Sequence, residues 1–190
     1  MPKKLRIAVT GPESTGKTTL AKQLAESFNG IFIPEYARQY IEKLPHHYQY
    51  GDVENIAMEQ VRQYFDTINR DQNFFVFDTW LIITKVWFMW VYNTTPVWLD
   101  ERIRNCPVDL FLLCRPDLPW EADPVRENGG DNRHKLFELY RTELEHYGFD
   151  FVEIGGLGEE RIANSIQSVS DFFKWHQTFG NLSLNSTLNK

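Results

Sequence analysis

The chain has 190 residues, 42% of them apolar and 15% aromatic, which is enough to bury one substantial core and too much for a disordered chain. Its 20 basic and 26 acidic side chains leave a net charge of −6, a surface that repels phosphate backbones and argues against nucleic acid as a partner. Two cysteines, Cys106 and Cys114, exclude a disulfide scaffold and fit no zinc spacing, so both read as packing residues.

The N-terminus is basic, but its apolar run stops at Val9, too short for a signal-peptide core. Leu5 to Thr10 reads as a short buried strand. Gly11 to Gly16 breaks it, and Lys17 to Phe28 follows as a helix with Leu20, Leu24 and Phe28 at helical spacing. Ile31 to Ile33 is a second strand, stopped by Pro34. Asp52 is expected to N-cap a long helix whose apolar face is Val53, Ile56, Ala57, Val61, Tyr64, Phe65 and Ile68.

Phe74 to Phe77 is a third strand, apolar on both faces, as parallel strands covered by helices are. Leu81 to Tyr92 reads as a helix. The aromatic stretch around it is interrupted by Lys85 and lacks the ~20 apolar residues of a membrane span. Val108 to Cys114 and Phe149 to Ile154 are the fourth and fifth strands. Between them lie a polar segment, about 116–133, and a helix near Arg133 to Tyr147. Glu159 to Trp175 closes the pattern. The division expected is a domain over 1–176 and a polar tail over 177–190, in a soluble cytoplasmic protein with no membrane partner.

Strands alternating with helices predict an α/β fold, a five-stranded parallel sheet with helices on both faces. Ligands of such sheets bind beyond the carboxyl ends of the strands. Thr10-Gly11, Glu35, Asp78, Arg115 with Asp117, and Gly155-Gly156 fall at that edge. Asp109 begins its strand on the opposite edge and reads as structural.

Gly11-Pro12-Glu13-Ser14-Thr15-Gly16-Lys17-Thr18 fits G-x-x-x-x-G-K-[ST] without mismatch, between a strand and a helix. Glycines allow the backbone angles that turn successive N–H groups inward on an anion, and the helix N-terminus adds positive potential. Residues Gly11 to Thr19 are therefore candidates for holding ATP: Lys17 reaches the β- and γ-phosphates and Thr18 offers a hydroxyl to Mg²⁺. Asp78, ending an apolar strand, is a second candidate for Mg²⁺ or for orienting the acceptor; capping the next helix is its plainer role. Glu35 ends strand two and is a candidate acceptor of a hydroxyl proton. Arg38, one turn on, reads either as a partner of Glu35 or as a surface ion pair. Leu118 to Arg126, with Arg133 seven residues beyond, reads as a lid whose Arg126 and Arg133 bind ATP and stabilise a transferring phosphoryl group; a solvated loop is its plainer reading.

No D-x-x-G follows Asp78, no N-K-x-D occurs, and a Ser-Gly-Gly transporter signature is absent. GTPase and transporter classes fall away, leaving a small-molecule kinase. His46-His47 reads as an exposed loop rather than a metal pair, and His134 as a surface residue. Gly155 to Gly158 suits a plain turn as well as an approach to a base.

Three runs together carry a more specific signal: Glu35-Tyr36-Ala37-Arg38; Phe77-Asp78-Thr79; and Leu118-Pro119-Trp120 through Asp123 and Arg126 to Arg133. With the phosphate loop, their order and spacing over most of residues 5–165 resemble the ribosylnicotinamide kinase domain of the bacterial NAD-metabolism regulator and related stand-alone P-loop kinases. The resemblance implies transfer of the ATP γ-phosphate to the 5′-hydroxyl of nicotinamide riboside. It makes Glu35, Arg38, Asp78 and Asp123 candidate acceptor contacts. The chain departs from it at Trp80, where a second acid is common, and at Pro34, where some members carry an aromatic. Tyr50, Trp80 and Trp120 are the aromatics that remain for stacking on a pyridinium. A kinase for another nucleoside, or a nucleotide-binding sensor with little catalysis, are the alternative readings.

Overall fold

A computed structural model describes residues 4–185, with side chains through Lys174. Five parallel strands, β1 (Leu5–Thr10), β2 (Ile31–Ile33), β3 (Phe74–Asp78), β4 (Leu110–Cys114) and β5 (Phe151–Ile154), form one sheet in the order β2-β3-β1-β4-β5. Helices α1 (Lys17–Ser27), α2 (Tyr36–Ile41), α3 (Tyr50–Asp66), α4 (Leu81–Trp87), α5 (Val97–Asn105), α6 (Asn132–Tyr147) and α7 (Gly158–Asn185) connect them. This is a P-loop kinase-like fold. Among the described residues no helix is long and apolar enough to cross a membrane.

Period-two alternation divides the core between the two faces. Ile7, Val9, Val76, Leu110 and Leu112 meet Leu20, Ala21 and Leu24 of α1 and Val169 of α7. On the opposite face Ala8, Phe75, Phe77, Phe111 and Leu113 meet Val53 and Ala57 of α3, Leu81 and Ile82 of α4, and Leu136 and Tyr140 of α6. β1 lies at the centre, its Val9 in register with Asp78 and with Leu112. That register brings the loop after β1 and the carboxylate ending β3 to the same edge. Asp109 accepts the Arg6 backbone N–H at 2.8 Å, a brace at the far edge, as expected of a structural residue.

Several boundaries differ from the sequence reading. α3 begins at Tyr50 with Gln49 as its cap, so Asp52 is the third helical residue and reaches back to the Gln49 N–H at 2.8 Å. That is the second half of a capping box. Leu81 to Tyr92 is not one regular helix. It widens into a π-helical turn at Phe88–Tyr92 and ends on Asn93 at φ 51°, which re-aims Trp90 and Val91. Two helices, α2 and α5, were not foreseen. α2 has six residues, and α5 buries only Leu99 and Ile103, so neither writes a clear apolar period. α7 continues past Trp175 to Asn185, because the chain there holds no proline and Gly180 weakens a helix without ending it. Of the expected tail, residues 186–190 lie outside the described residues.

Candidate active site

The turn after β1 is built by backbone constraint. Gly11 takes φ 132°, and a Cβ there would stand 2.7 Å from the Cys114 carbonyl oxygen of β4. Gly16 at φ 74° lies against Leu118. Between them Ser14, a non-glycine, is held at φ 57°, a strained angle of the kind found where a loop is shaped for a ligand. Thr15 Oγ1 donates to the Pro12 carbonyl at 2.9 Å, and Lys17 Nζ donates to the same oxygen at 2.7 Å.

At the end of β3 the Asp78 carboxylate is almost fully buried, and burial raises its pKa against the opposing Thr18 hydrogen bond and Lys17 charge. Its Oδ1 has no hydrogen-bond partner. An orphaned carboxylate oxygen beside a threonine hydroxyl and a phosphate loop is a donor set suited to a hard divalent cation. Thr79 then turns at φ 67° and gives its N–H to the Val9 carbonyl at 3.0 Å. The turn sends Trp80 into the core against Tyr64 and Phe111, so the tryptophan at the second-acid position is a packing residue.

Glu35 stands two residues beyond β2 as the N-cap of α2 and lines a cleft with the phosphate loop. Burial pushes its carboxyl above the ordinary 4.5; Lys17 pulls the other way and Asp78 adds to the rise. Arg38 turns from Glu35 and gives Nη1 to Asp123 of the lid at 3.0 Å. Asp123 is held below the usual range by the Val125 N–H and by that guanidinium.

The segment after β4 lies closed over the loop. Ser14 Oγ accepts the Glu121 N–H at 2.9 Å. The Glu13 carboxylate accepts the N–H groups of Glu127 and Asn128 at 3.1 and 2.8 Å. Arg126 gives Nη1 to the Glu121 carbonyl at 2.6 Å and reaches Ser14 Oγ at 3.5 Å. Arg133 differs from the sequence reading. Its buried guanidinium grips the carbonyls of Leu118 and Ser14, both at 2.9 Å, from behind the loop. A second clamp was not foreseen: Arg161 of α7 is buried, pairs with Asp117 at 2.7 Å and donates to the Thr15 carbonyl at 3.1 Å. Arg161 shares the buried face of α7 with Ser165 and Val169, and a single arginine there gave no sequence signal.

These parts enclose a cleft of ≈ 780 Å³. Gly11, Glu13 to Thr19, Glu35, Arg38 and Arg126 line it, as does the start of α7 at Gly158 and Glu159. Tyr50 does not line it: its ring packs on Phe88 and Tyr92. Trp120 does not either; it lies under Arg133, whose guanidinium carbon is 5.9 Å from the ring centroid. The aromatic wall is instead Tyr48, Trp87 and Trp90, with Tyr140 behind. Tyr48 follows the two histidines. Trp87 and Trp90 sit either side of the switch to π geometry, which hides their shared face from a 3.6-residue period. His46 and His47 also line the cleft, and His47 Nε2 lies 3.0 Å from Glu127.

The chain matches the family model of the AAA domain over residues 6–161. The trifunctional NAD biosynthesis/regulator proteins NadR of Salmonella typhimurium and Escherichia coli are each 30% identical to it over 156 residues, 78% of this chain and 37% of theirs. The chain thus spans little more than a third of the length of these curated relatives. A crystal structure of NadR protein in complex with NR superposes with a TM-score of 0.74 at 24% identity, over 89% of this chain and 50% of that one. Thymidylate kinase from Ehrlichia chaffeensis superposes at 0.65 with 12% identity, over 90% of this chain and 100% of its own. At those identities the likeness is one of fold.

Proposed function

The chain belongs to the AAA domain family, and on that premise we propose that it is a P-loop kinase passing the γ-phosphate of ATP to the 5′-hydroxyl of nicotinamide riboside. The products are ADP and nicotinamide mononucleotide. One observation carries this reading: a phosphate loop, the Glu35 carboxylate and an aromatic wall share a single cleft under a closed segment. A bare nucleotide switch has no use for the last two.

In this reading the loop amides from Glu13 to Thr19 and Lys17 hold the β- and γ-phosphates. Thr18 and Asp78 would hold Mg²⁺, which neutralises phosphate charge when bound. Glu35 accepts the hydroxyl proton as the oxygen attacks phosphorus. Its raised pKa makes it a stronger base than an exposed carboxylate. Arg126, one bond from Ser14, answers the charge that develops on the transferring group. Arg133 and Arg161 act at one remove, by fixing the carbonyls of Ser14 and Thr15 so that the loop amides point inward. The closed segment keeps water from the phosphoryl group.

The test is ADP formation measured with nicotinamide riboside, with other nucleosides and with no acceptor. Acceleration by nicotinamide riboside above the rest is the expected result. Acceleration by a different nucleoside selects a kinase of another specificity, which the loss of the second acid to Trp80 favours. Tight nucleotide binding with no acceleration by any acceptor selects a sensor and overturns the proposal.

A further inference from the structure

Lys17, Arg126 and Arg161 line the cleft with the phosphate loop and the acids Glu13 and Glu121, Arg161 being paired with Asp117, while Tyr48, Trp87 and Trp90 line it together with Glu127. The Glu127 carboxylate is tethered on two side chains. Tyr48 Oη donates to it at 2.7 Å and His47 Nε2 lies 3.0 Å away. Among the described residues no Lys or Arg forms an ion pair with it. Its neighbour Arg126 points toward Glu121 and Ser14, at the phosphate end. The backbone around it is pinned as well: its N–H is on Glu13, and the Asn128 amide oxygen takes the Trp90 indole N–H at 3.0 Å.

The result is a fixed negative charge at the rim of a ring wall, with Tyr48 set edge-on to Trp87 at 4.7 Å between centroids. Aromatic faces attract a cation, and a carboxylate beside them adds to the attraction. A neutral ring of the same shape gains stacking alone, and a ring bearing its own carboxylate meets repulsion. Resting on the kinase reading above, we propose that Glu127, seated on Tyr48, sets the charge specificity of the acceptor subsite. It favours a nucleoside whose ring is a cation and discriminates against neutral and acid-bearing rings.

The test uses the full chain with ATP and three acceptors: nicotinamide riboside, its 1,4-dihydro form with a neutral ring, and nicotinic acid riboside. The native chain is expected to favour the first by about tenfold or more in kcat/KM over each of the others. Glu127→Gln, close in shape, should shrink both gaps by roughly fivefold to tenfold, the change falling on the acceptor KM. Tyr48→Phe keeps the ring and frees the carboxylate, and should shrink them by about twofold to threefold. A role confined to holding the backbone would lower all three rates together and leave the ratios unmoved. Native transfer to nicotinamide riboside with both gaps intact in either variant overturns this inference alone. No transfer to any of the three by the native chain overturns the kinase reading and this inference with it.

Discussion

Lys17 and Glu35 line the same cleft. Lys17 Nζ rests on the Pro12 carbonyl inside its own loop, a contact a phosphate oxygen would replace. Nothing in the core depends on it. Lys17→Ala is therefore expected to cut phosphoryl transfer by about 10³-fold or more while the melting temperature stays close to native. Transfer within tenfold of native would remove the loop from the reaction. Glu35 carries a cost when ionised, because burial lifts its carboxyl above the ordinary 4.5. The folded state thus binds that proton more tightly than the unfolded chain does. Stability falls as pH rises from the ordinary value through the raised one, and stays lower above it. Glu35→Gln removes this penalty at neutral pH. Thermal melts should show the variant more stable by about 1 kcal/mol, roughly 2–4 °C, at pH 7, with no gain below 4.5. Transfer should fall by about 10²-fold or more. A variant that melts below native at pH 7 would show that the carboxylate is stabilised where it stands.

At the scale of elements, the aromatic wall of the cleft is held by what fastens α4. Trp87 and Trp90 stand on α4 and the π turn after it. α4 is fastened to its neighbours by Lys85, nearly buried, which pairs with Asp100 of α5 at 2.8 Å and Glu143 of α6 at 3.0 Å. Tyr147 closes the group, its hydroxyl 2.6 Å from Nζ. Burial works against the ammonium, but those three partners win and hold its pKa above the ordinary 10.5. The bridge is therefore intact below 10.5 and is lost as pH rises through the higher folded value. Truncation strands Glu143 in the core without a cation. Lys85→Ala should lower unfolding free energy by about 3 kcal/mol or more, measured by urea titration, and should weaken the acceptor KM before the nucleotide KM. A loss under about 1 kcal/mol would mean that α4 is held by packing alone. Elements are also where sequence and structure part company. The strands and α1 were legible because short apolar runs, helical spacing and turn glycines are local signals. The phosphate loop, Glu35 and Asp78 were legible because a parallel sheet carries every strand end to one edge. The wall was not. Tyr50 and Trp120 are as aromatic as Tyr48 and Trp90, and only the π turn and the lid's path decide which rings reach the cleft. Arg133 and Arg161 were obscured for a related reason: an arginine that binds carbonyls and one that binds phosphates look alike in sequence.

For the whole molecule, the telling feature is that the segment from Glu121 to Asn128 is strapped to both walls at once. On the phosphate side Glu13 and Ser14 take its backbone N–H groups. On the opposite side Arg38 holds Asp123, Tyr48 holds Glu127 and Trp90 holds Asn128. A segment tied on both sides is expected to couple one wall to the other, because the same few residues carry both sets of bonds. Glu13 makes this concrete. It sits in the phosphate loop, yet its carboxylate receives N–H groups of the two residues that contact Tyr48 and Trp90. The fold persists without it, since the sheet and both core layers lie below the loop. Glu13→Ala should free the closed segment and leave two N–H groups to water. The expected outcome is a kcat lower by about tenfold and an acceptor KM higher by a similar factor, with closure no longer assisted by the loop. Water should also gain entry to the phosphoryl group. The fraction of ADP formed without phosphorylated acceptor should then rise several-fold, read as the ratio of ADP to nucleotide product in one assay. Glu13→Gln keeps an acceptor oxygen and should recover most of the coupling. If Glu13→Ala keeps both that ratio and the acceptor KM at native values, the straps are incidental and the two ends of the cleft act independently.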